Sequence, residues 1–321
     1  MNDVSPESLP ALSVIVVARN AASTIARALN SLAAQHYPNL ELIVWDGLST
    51  DGTLNVLKQF GYLITVLKSE SDNGPPDAAN RARTLATGDY VGFLNADDTL
   101  EPGALWAVAD AVTRQPDAEV ISFGMLYRNE NEKIIGHYAS EKQLALTLET
   151  LLSDTPTFQT SRFIKRDVLE ELGPFNTDRS LWYYSNDREF MLRLMFRGCK
   201  HVVIPKALYG FTLHDGGLSS DPGHFARIVE EHAMMGDMLL ERLDLSDAQR
   251  GIIKHWQQRY LVFGFWKALA RLELQKVKNF MQRGICLTGW RFIPSSLYWL
   301  IAKLLKRFGL KLSNGIDRGV F

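Results

Sequence analysis

Two acidic turns follow apolar runs in this chain, and a third opens a helical stretch. Asp46 follows LELIVW, the cluster Asn95-Ala96-Asp97-Asp98 follows DYVGFL, and Asp187 begins Asp187-Arg188-Glu189-Phe190. In an open α/β sheet the ligand crevice lies beyond the carboxyl ends of the strands. Hard divalent cations take oxygen ligands. Carboxylates gathered at strand ends therefore suit a cation and a phosphorylated ligand better than they suit a core.

Other chemistries lack their residues. No G-x-G-x-x-G follows the first strand and no G-x-x-x-x-G-K-[ST] occurs, which argues against dinucleotide and P-loop sites. H-E-x-x-H and paired C-x-x-C are also absent, so nothing supports zinc. The two cysteines, Cys199 and Cys286, are far apart and read as buried thiols, not as a disulfide framework.

The acidic turns need elements to position them, and the first hundred residues alternate between strand and helix patterns. Strands are predicted at 13–19, 40–46, 63–67 and 90–94. The first helix starts behind Ser23 and carries Ile25, Ala28, Leu29 and Leu32; the second is capped by Ser49 or Thr50, beside a turn aspartate at Asp51. A third runs through 78–85, after the Asn73-Gly74-Pro75-Pro76 loop. Such alternation predicts a parallel sheet with helices on both faces. From 118 the pattern mixes: a hairpin of 120–127 and 133–138, a helix over 141–152, a strand near 161–165, a helix from 186, and a short strand 201–204 stopped by Pro205. Beyond 221 the chain reads as helical.

At 321 residues with 46% hydrophobic and 22% charged side chains, the composition is that of a globular protein. The first ten residues are polar, without the apolar core of a signal peptide, and no run is long enough to span a bilayer. A cytoplasmic location is expected. The net charge of −1 hides an asymmetry, because residues 250–321 carry 14 Lys and Arg against only Glu273 and Asp317. An anionic partner for that tail is the expectation.

The segments 13–20 (SVIVVARN), 39–53 (NLELIVWDGLSTDGT), 73–80 and 86–98 (ATGDYVGFLNADD) together resemble the nucleotide-sugar half of glycosyltransferase family 2. The stretches 160–175 (TSRFIKRDVLEELGPF) and 186–193 (NDREFMLR) resemble its acceptor half. The resemblance covers about residues 10–220. It implies the GT-A fold: α/β, Rossmann-like, with a mostly parallel central sheet, here followed by a helical C-terminal extension. The division implied is a glycosyltransferase domain over 1–220, with a nucleotide-sugar half at about 10–115 and an acceptor half at about 116–220, then a helical, basic region over 221–321.

The implied reaction is metal-dependent, inverting transfer of a sugar from a nucleoside-diphosphate donor, UDP-linked in this reading. The implied acceptor is a hydroxyl of a glycan or lipid-linked glycan, as in surface polysaccharide assembly. Asp46 matches the aspartate that accepts a pyrimidine ring N–H. Asn95-Ala96-Asp97-Asp98 matches the metal-binding D-x-D, with Asn95 in place of its first aspartate, Asp97 as the leading ligand of Mn²⁺ or Mg²⁺, and Asp98 as ligand, support or helix cap. Asp187 matches the general base, preceded by Asn186 where the family has Glu; Glu189 is its possible substitute. Asn73, Asp77, Asn80 and Arg81 fall where the family touches nucleotide and donor sugar. Ala18 and Arg19 are placed to line the base pocket. His214, before Gly216-Gly217, can complete the metal shell or meet phosphate beside a closing segment.

In the tail, cations alternate with Trp256, Tyr260, Phe263, Phe265, Trp266, Phe280, Trp290, Phe292, Tyr298 and Trp299, and 297–308 has an amphipathic pattern. An anionic membrane surface is the favoured partner, plain helical packing the alternative, and nucleic acid is not expected. Two other readings of the whole remain: a catalytically silent binding module, and a nucleotidyltransferase, whose Gly-rich N-terminal signature ARNAAST (18–24) lacks.

Overall fold

The computed structural model describes residues 8–153, 159–178, 184–214, 224–289 and 292. The chain divides into two compact units. One comprises residues 1–151, 155–179 and 186–220; the other comprises 152–154, 180–185 and 221–321.

The first unit is built on a nine-stranded sheet. Its strands are β1 (Leu12–Ala18), β2 (Leu40–Asp46), β3 (Val66–Ser69), β4 (Tyr90–Asn95), β5 (Thr99–Leu100), β6 (Val120–Arg128), β7 (Ile134–Tyr138), β8 (Arg162–Lys165) and β9 (His201–Thr212). They are ordered β3-β2-β1-β4-β8-β6-β9-β5, with β7 beside the far end of β6. The long ladders β1–β2, β1–β4, β2–β3 and β6–β9 are parallel; the shorter ones made by β5, β7 and β8 are antiparallel.

Alternation along β1 explains the layers. Leu12, Val14, Val16 and Ala18 join a core with helices α1 (Ile25–Ala33) and α4 (Ala104–Arg114) and with Leu57 of α2 (Thr53–Gln59). Helix α3 (Pro75–Arg83) packs on β1 and β2 through Ala78, Ala79 and Ala82, which lie outside that core. There too Phe93 of β4 meets Phe175, which packs on Phe190 of helix α8 (Asn186–Arg197). Helices thus cover both faces, as the strand–helix alternation predicted. The remaining helices of this unit are α5 (Glu141–Leu144), α6 (Leu148–Leu151) and α7 (Arg166–Leu172).

Several boundaries differ from expectation. The third strand begins at Val66, because Leu63 and Ile64 are spent on the turn that closes α2 and pack its end against the core. Helix α1 starts at Ile25 behind Thr24, not Ser23, and α2 behind Gly52, neither cap being a side chain. The predicted helix over 141–152 is two short ones, α5 and α6, interrupted after an extended Ala145. Pro205 does not stop β9. The pairing steps from Phe123–Ile204 to Gly124–Ala207 and then to Met125–Tyr209, so Pro205 sits in an irregularity where no ladder N–H is required. Beyond it β9 runs on to Thr212. Neither cysteine is fully buried: Cys286 is exposed, facing outward from its helix, and Cys199 is half-buried.

The second unit contains α9 (His224–Leu240), α10 (Asp247–Ala270) and α11 (Leu274–Thr288). Ser246 and Gln249 form a capping box at the start of α10. Val229, Ala233, Leu261, Val262, Ala268, Phe280 and Phe292 make its core. Gly264 lets the Phe280 ring approach so closely that any Cβ there would collide at 2.5 Å. Trp256, Phe280 and Phe292 of the aromatic series therefore serve packing, being 5% exposed or less. Trp290, Tyr298, Trp299 and the amphipathic stretch 297–308 lie outside the described residues, as do Gly216 and Gly217. Among the described residues no helix is long and apolar enough to cross a membrane.

Candidate active site

Register brings the predicted residues to one edge of the sheet. Ala18 pairs with Asp46, Val17 with Asn95, and Asp46 with Ser69, so the carboxyl ends of β1, β2, β3 and β4 form a row. The loops after β1 and β2 brace one another: Asn20 N–H donates to Ser49 Oγ at 2.8 Å, Thr50 N–H to Asn20 Oδ1 at 2.9 Å, and Ala22 N–H to Asp51 Oδ2 at 3.1 Å. Asp51 is thus the turn aspartate.

Asp46 is fully buried. Its Oδ2 accepts from Ser69 Oγ at 2.7 Å and Ser49 N–H at 3.1 Å. Its Oδ1 is buried with no hydrogen-bond partner. An unpartnered acceptor in such a place is disfavoured by about 1–3 kcal/mol unless a ligand donates to it. Beside it, Gly47 donates to the Ala18 carbonyl at 2.8 Å. A Cβ at Gly47 would meet Asp72 Oδ2 at 2.6 Å and the exposed Arg19 stem at 3.5 Å, so loops 18–20, 46–49 and 72–74 converge here. Asp72 escaped the sequence reading because an aspartate before Asn-Gly looks like any turn residue.

The loop before α3 is tied by Asp77, whose Oδ2 accepts from Asn73 N–H at 2.9 Å and from Arg81 Nε at 3.3 Å. Desolvation would raise the Asp77 carboxyl, but the bonds from Asn73 and Arg81 outweigh it and hold it low. Arg81 lies over the Trp45 ring at 5.8 Å, with 43% of its side chain exposed. Asn80 also has a structural part: its amide makes two 2.8 Å bonds to the backbone of Phe175, so it anchors that loop.

The Asn95–Asp98 turn separates its two aspartates. Asp98 is 1% exposed and accepts from Tyr209 Oη at 2.7 Å, Asn95 Nδ2 at 2.8 Å and Thr212 N–H at 2.9 Å. Burial, then the neighbouring Asp97 charge, push its carboxyl upward. It caps no helix, since α4 starts behind Gly103; it is a brace with both oxygens occupied. Bonding to Asp98 also fixes the Asn95 amide with Nδ2 inward. Ala96 is buried in the core.

Asp97 points to the accessible side. Its side chain is 35% exposed and Oδ2 lies 2.9 Å from His214 Nε2. Among the described residues no group of three or more His, Cys, Asp and Glu side chains is assembled for a metal. An oxygen and a nitrogen ligand in contact, open to solvent, nevertheless fit a cation that takes its other ligands from phosphates and water.

Asp187 is linked to that edge electrostatically, through the start of β8. That strand runs antiparallel to β4, with Gly92 opposite Phe163, so the start of β8 lies at the carboxyl end of β4. Thr160, just before β8, interacts with Tyr209, which holds Asp98. The buried Arg162, two residues on, attracts Asp187 electrostatically. Burial pushes the Asp187 carboxyl up to about 6, with Arg188 and Arg162 pulling against it. Its Oδ1 accepts from Arg188 N–H at 2.7 Å. Glu189 is instead paired to Arg193 at 2.8 Å, which leaves Asp187 the better proton acceptor. Tyr209, Thr212 and Arg162 were missed in the sequence because no motif marks them and the strand bearing the first two was expected to end at Pro205.

Comparison with known proteins identifies the family and the fold. Residues 13–173 match the family description Glycosyl transferase family 2. A PGL/p-HBAD biosynthesis glycosyltransferase of Mycobacterium bovis is 30% identical over 171 residues, 52% of this chain and 64% of that protein's own length. An uncharacterized glycosyltransferase of Haemophilus influenzae is 26% identical over 232 residues, 68% of this chain and 70% of that one. Among solved structures, S. aureus TarS 1–349 in complex with UDP-GlcNAc superposes with a TM-score of 0.66 at 20% identity, covering 96% of this chain and 95% of that one. The mannosyltransferase PcManGT from Pyrobaculum calidifontis, in complex with GDP-Man and Mn²⁺, gives 0.60 at 21% identity, with 95% and 83% covered. At such identities the structural likeness establishes the GT-A fold alone. Taken with the family match over half its length, it establishes that the chain belongs to glycosyltransferase family 2.

Proposed function

We propose that the chain transfers a glycosyl group from a UDP-linked sugar to an acceptor hydroxyl, with inversion at the anomeric carbon. One observation carries the donor half of this reading: the buried, unpartnered Oδ1 of Asp46 at the end of β2. A uracil ring N–H is a donor of the right kind for it; Ala18 pairs with Asp46, Arg19 and Asp72 approach the adjacent Gly47, and Asn73 is next in the loop of Asp72. Arg81 and Asp77 flank the donor.

Asp97 and His214 would hold a divalent cation, Mn²⁺ or Mg²⁺, which when bound neutralises charge on the departing diphosphate. Asp98 holds the turn rigid behind them. Asp187 accepts the proton of the acceptor hydroxyl, whose oxygen forms the new bond to the anomeric carbon. The bond from that carbon to the phosphate oxygen breaks with its electrons, releasing UDP. A carboxylate lifted to about 6 by burial is a stronger base than a solvated one and still ionised at neutral pH.

The acceptor in this reading is a glycan or lipid-linked glycan in surface polysaccharide assembly, met at the cytoplasmic face of a membrane. The basic excess of residues 250–321 supports that location. The test is calorimetric titration of nucleotides, followed by product analysis. UDP binding strengthened by Mn²⁺, then sugar transfer abolished in Asp187→Asn with UDP affinity retained, is the expected result. Equal affinity for UDP and adenosine diphosphate would remove the donor assignment.

A further inference from the structure

Arg27 projects from α1 toward a junction of three segments. Its Nη2 donates to the Asp97 carbonyl at 2.5 Å and to Thr212 Oγ1 at 2.9 Å. Its Nη1 is paired with Glu132 at the tip of the β6–β7 hairpin. These partners lie 70, 185 and 105 residues away in sequence. Asp97 is one member of the accessible Asp97–His214 pair, and Thr212 is two residues from the other member.

The carbonyl bond fixes the peptide of Asp97, and the hydroxyl bond fixes the end of β9, from which His214 departs. Thr212 is held from the other side by its N–H bond to Asp98, and Leu213 N–H donates to the Arg128 carbonyl at 2.8 Å. A single planar guanidinium thus ties the Asp97 peptide to the Thr212 side chain, two residues before His214.

Glu132 adds a separate observation. Its φ is +60°, in the left-handed region that a residue with a side chain adopts at a cost. Asn129 closes the turn around it, with Oδ1 accepting from Asn131 N–H at 3.1 Å and Lys133 N–H at 3.0 Å. Glycine would suit this backbone better. The carboxylate at Glu132 serves no bond within the turn; it serves Arg27.

We propose that Arg27 is a positioning residue that presets the spacing of Asp97 and His214, and that Glu132 locks Arg27 from the hairpin tip. The proposal rests on the cation-binding reading of that pair. The guanidinium bonds to the Asp97 carbonyl, Thr212 and Glu132. It acts by holding two ligand-bearing segments in register, so the penalty of ordering them is met before the cation arrives.

The test uses the full chain, Mn²⁺ and UDP. Mn²⁺ affinity is read by electron paramagnetic resonance at saturating UDP, and UDP affinity is read by calorimetry without metal. Arg27→Ala is expected to weaken Mn²⁺ by about tenfold, the usual scale for groups that orient metal ligands. Metal-free UDP binding at Asp46 stays within twofold of wild type. Arg27→Lys, which keeps charge but not the fork, falls between the two. Glu132→Gly relieves the turn and preserves the fold, so it reads the lock even if Arg27→Ala unfolds; a Mn²⁺ weakening of about threefold with an unchanged or higher melting temperature is expected. Mn²⁺ affinity within twofold of wild type in Glu132→Gly and in the folded Arg27 variants overturns the proposal while leaving the site assignment intact. If the wild-type chain with UDP binds no Mn²⁺, the cation-binding reading itself fails.

Discussion

His214 Nε2 and Asp97 Oδ2 meet at 2.9 Å, although 117 residues separate them. Among the described residues neither belongs to a preassembled metal cage, and both remain partly exposed. In the proposed reading a cation here would take its remaining ligands from the substrate. Asp98, adjacent in sequence, is fully engaged with Tyr209, Asn95 and Thr212. One aspartate of the turn is free to meet a cation because the other holds the turn in place.

Replacement of His214 by Ala is expected to raise the Mn²⁺ concentration needed for half-maximal turnover by about tenfold or more. The maximal rate at saturating metal falls less. Initial-rate measurements across a Mn²⁺ series check this, and an unchanged Mn²⁺ requirement would contradict the assignment.

Asp46→Asn keeps an oxygen for Ser49 and Ser69 but turns an amide NH₂ toward the place of the unpartnered Oδ1. A donor then faces the donor of the uracil ring. UDP affinity is expected to drop by about 10–100-fold, the scale of a lost charged hydrogen bond, with little change in melting temperature. Calorimetry and a thermal scan on the same samples separate the two effects.

Turnover should depend on pH through Asp187. The carboxylate must be ionised to take a proton, so the rate rises as pH increases through about 6 and is lost below it. Stability moves the opposite way. Burial lifts the folded carboxyl above its ordinary value of 3.8, so the folded state binds the proton more tightly. That contribution is complete below 3.8 and is lost as pH rises through about 6. Asp187→Asn is therefore expected to be inactive yet more stable at pH 8, by about 3 kcal/mol, and no more stable at pH 4. Parallel pH–rate profiles and melting curves test both signs.

Tyr209→Phe removes the hydroxyl that donates to Asp98 inside the protein. The loss is expected to cost about 1–3 kcal/mol, and to loosen the Asn95–Asp98 turn enough to weaken Mn²⁺ without touching a ligand. Denaturant unfolding gives the first number and metal titration the second. Unchanged stability would mean that Asp98 does not depend on this bond.

Much of this was legible in the sequence because strand–helix alternation and acidic turns are local signals. The carboxyl ends of β1, β2 and β4 were placed by apolar runs that stop at polar residues, and register did the rest. His214 and Asp97, each offered by the sequence as a candidate metal ligand, are brought into contact by the fold. The partners that fix the site were not legible. Tyr209 and Thr212 lie beyond Pro205, and proline is normally a strand terminator; only the shifted pairing at Gly124 lets β9 continue. Arg162 reads as an ordinary surface cation until β8 is laid between β4 and β6, which buries it. Asn80 matched a donor-binding stretch, yet its amide suits the free backbone of Phe175 equally well, and that contact depends on a loop 95 residues away.

The most direct measurement is the anomalous diffraction of crystals grown with UDP and Mn²⁺. A manganese peak is predicted at about 2.1–2.2 Å from Asp97 Oδ2 and His214 Nε2, with the uracil ring N–H directed at Asp46 Oδ1. A peak bound to neither residue, or a uracil ring away from Asp46, would contradict the account.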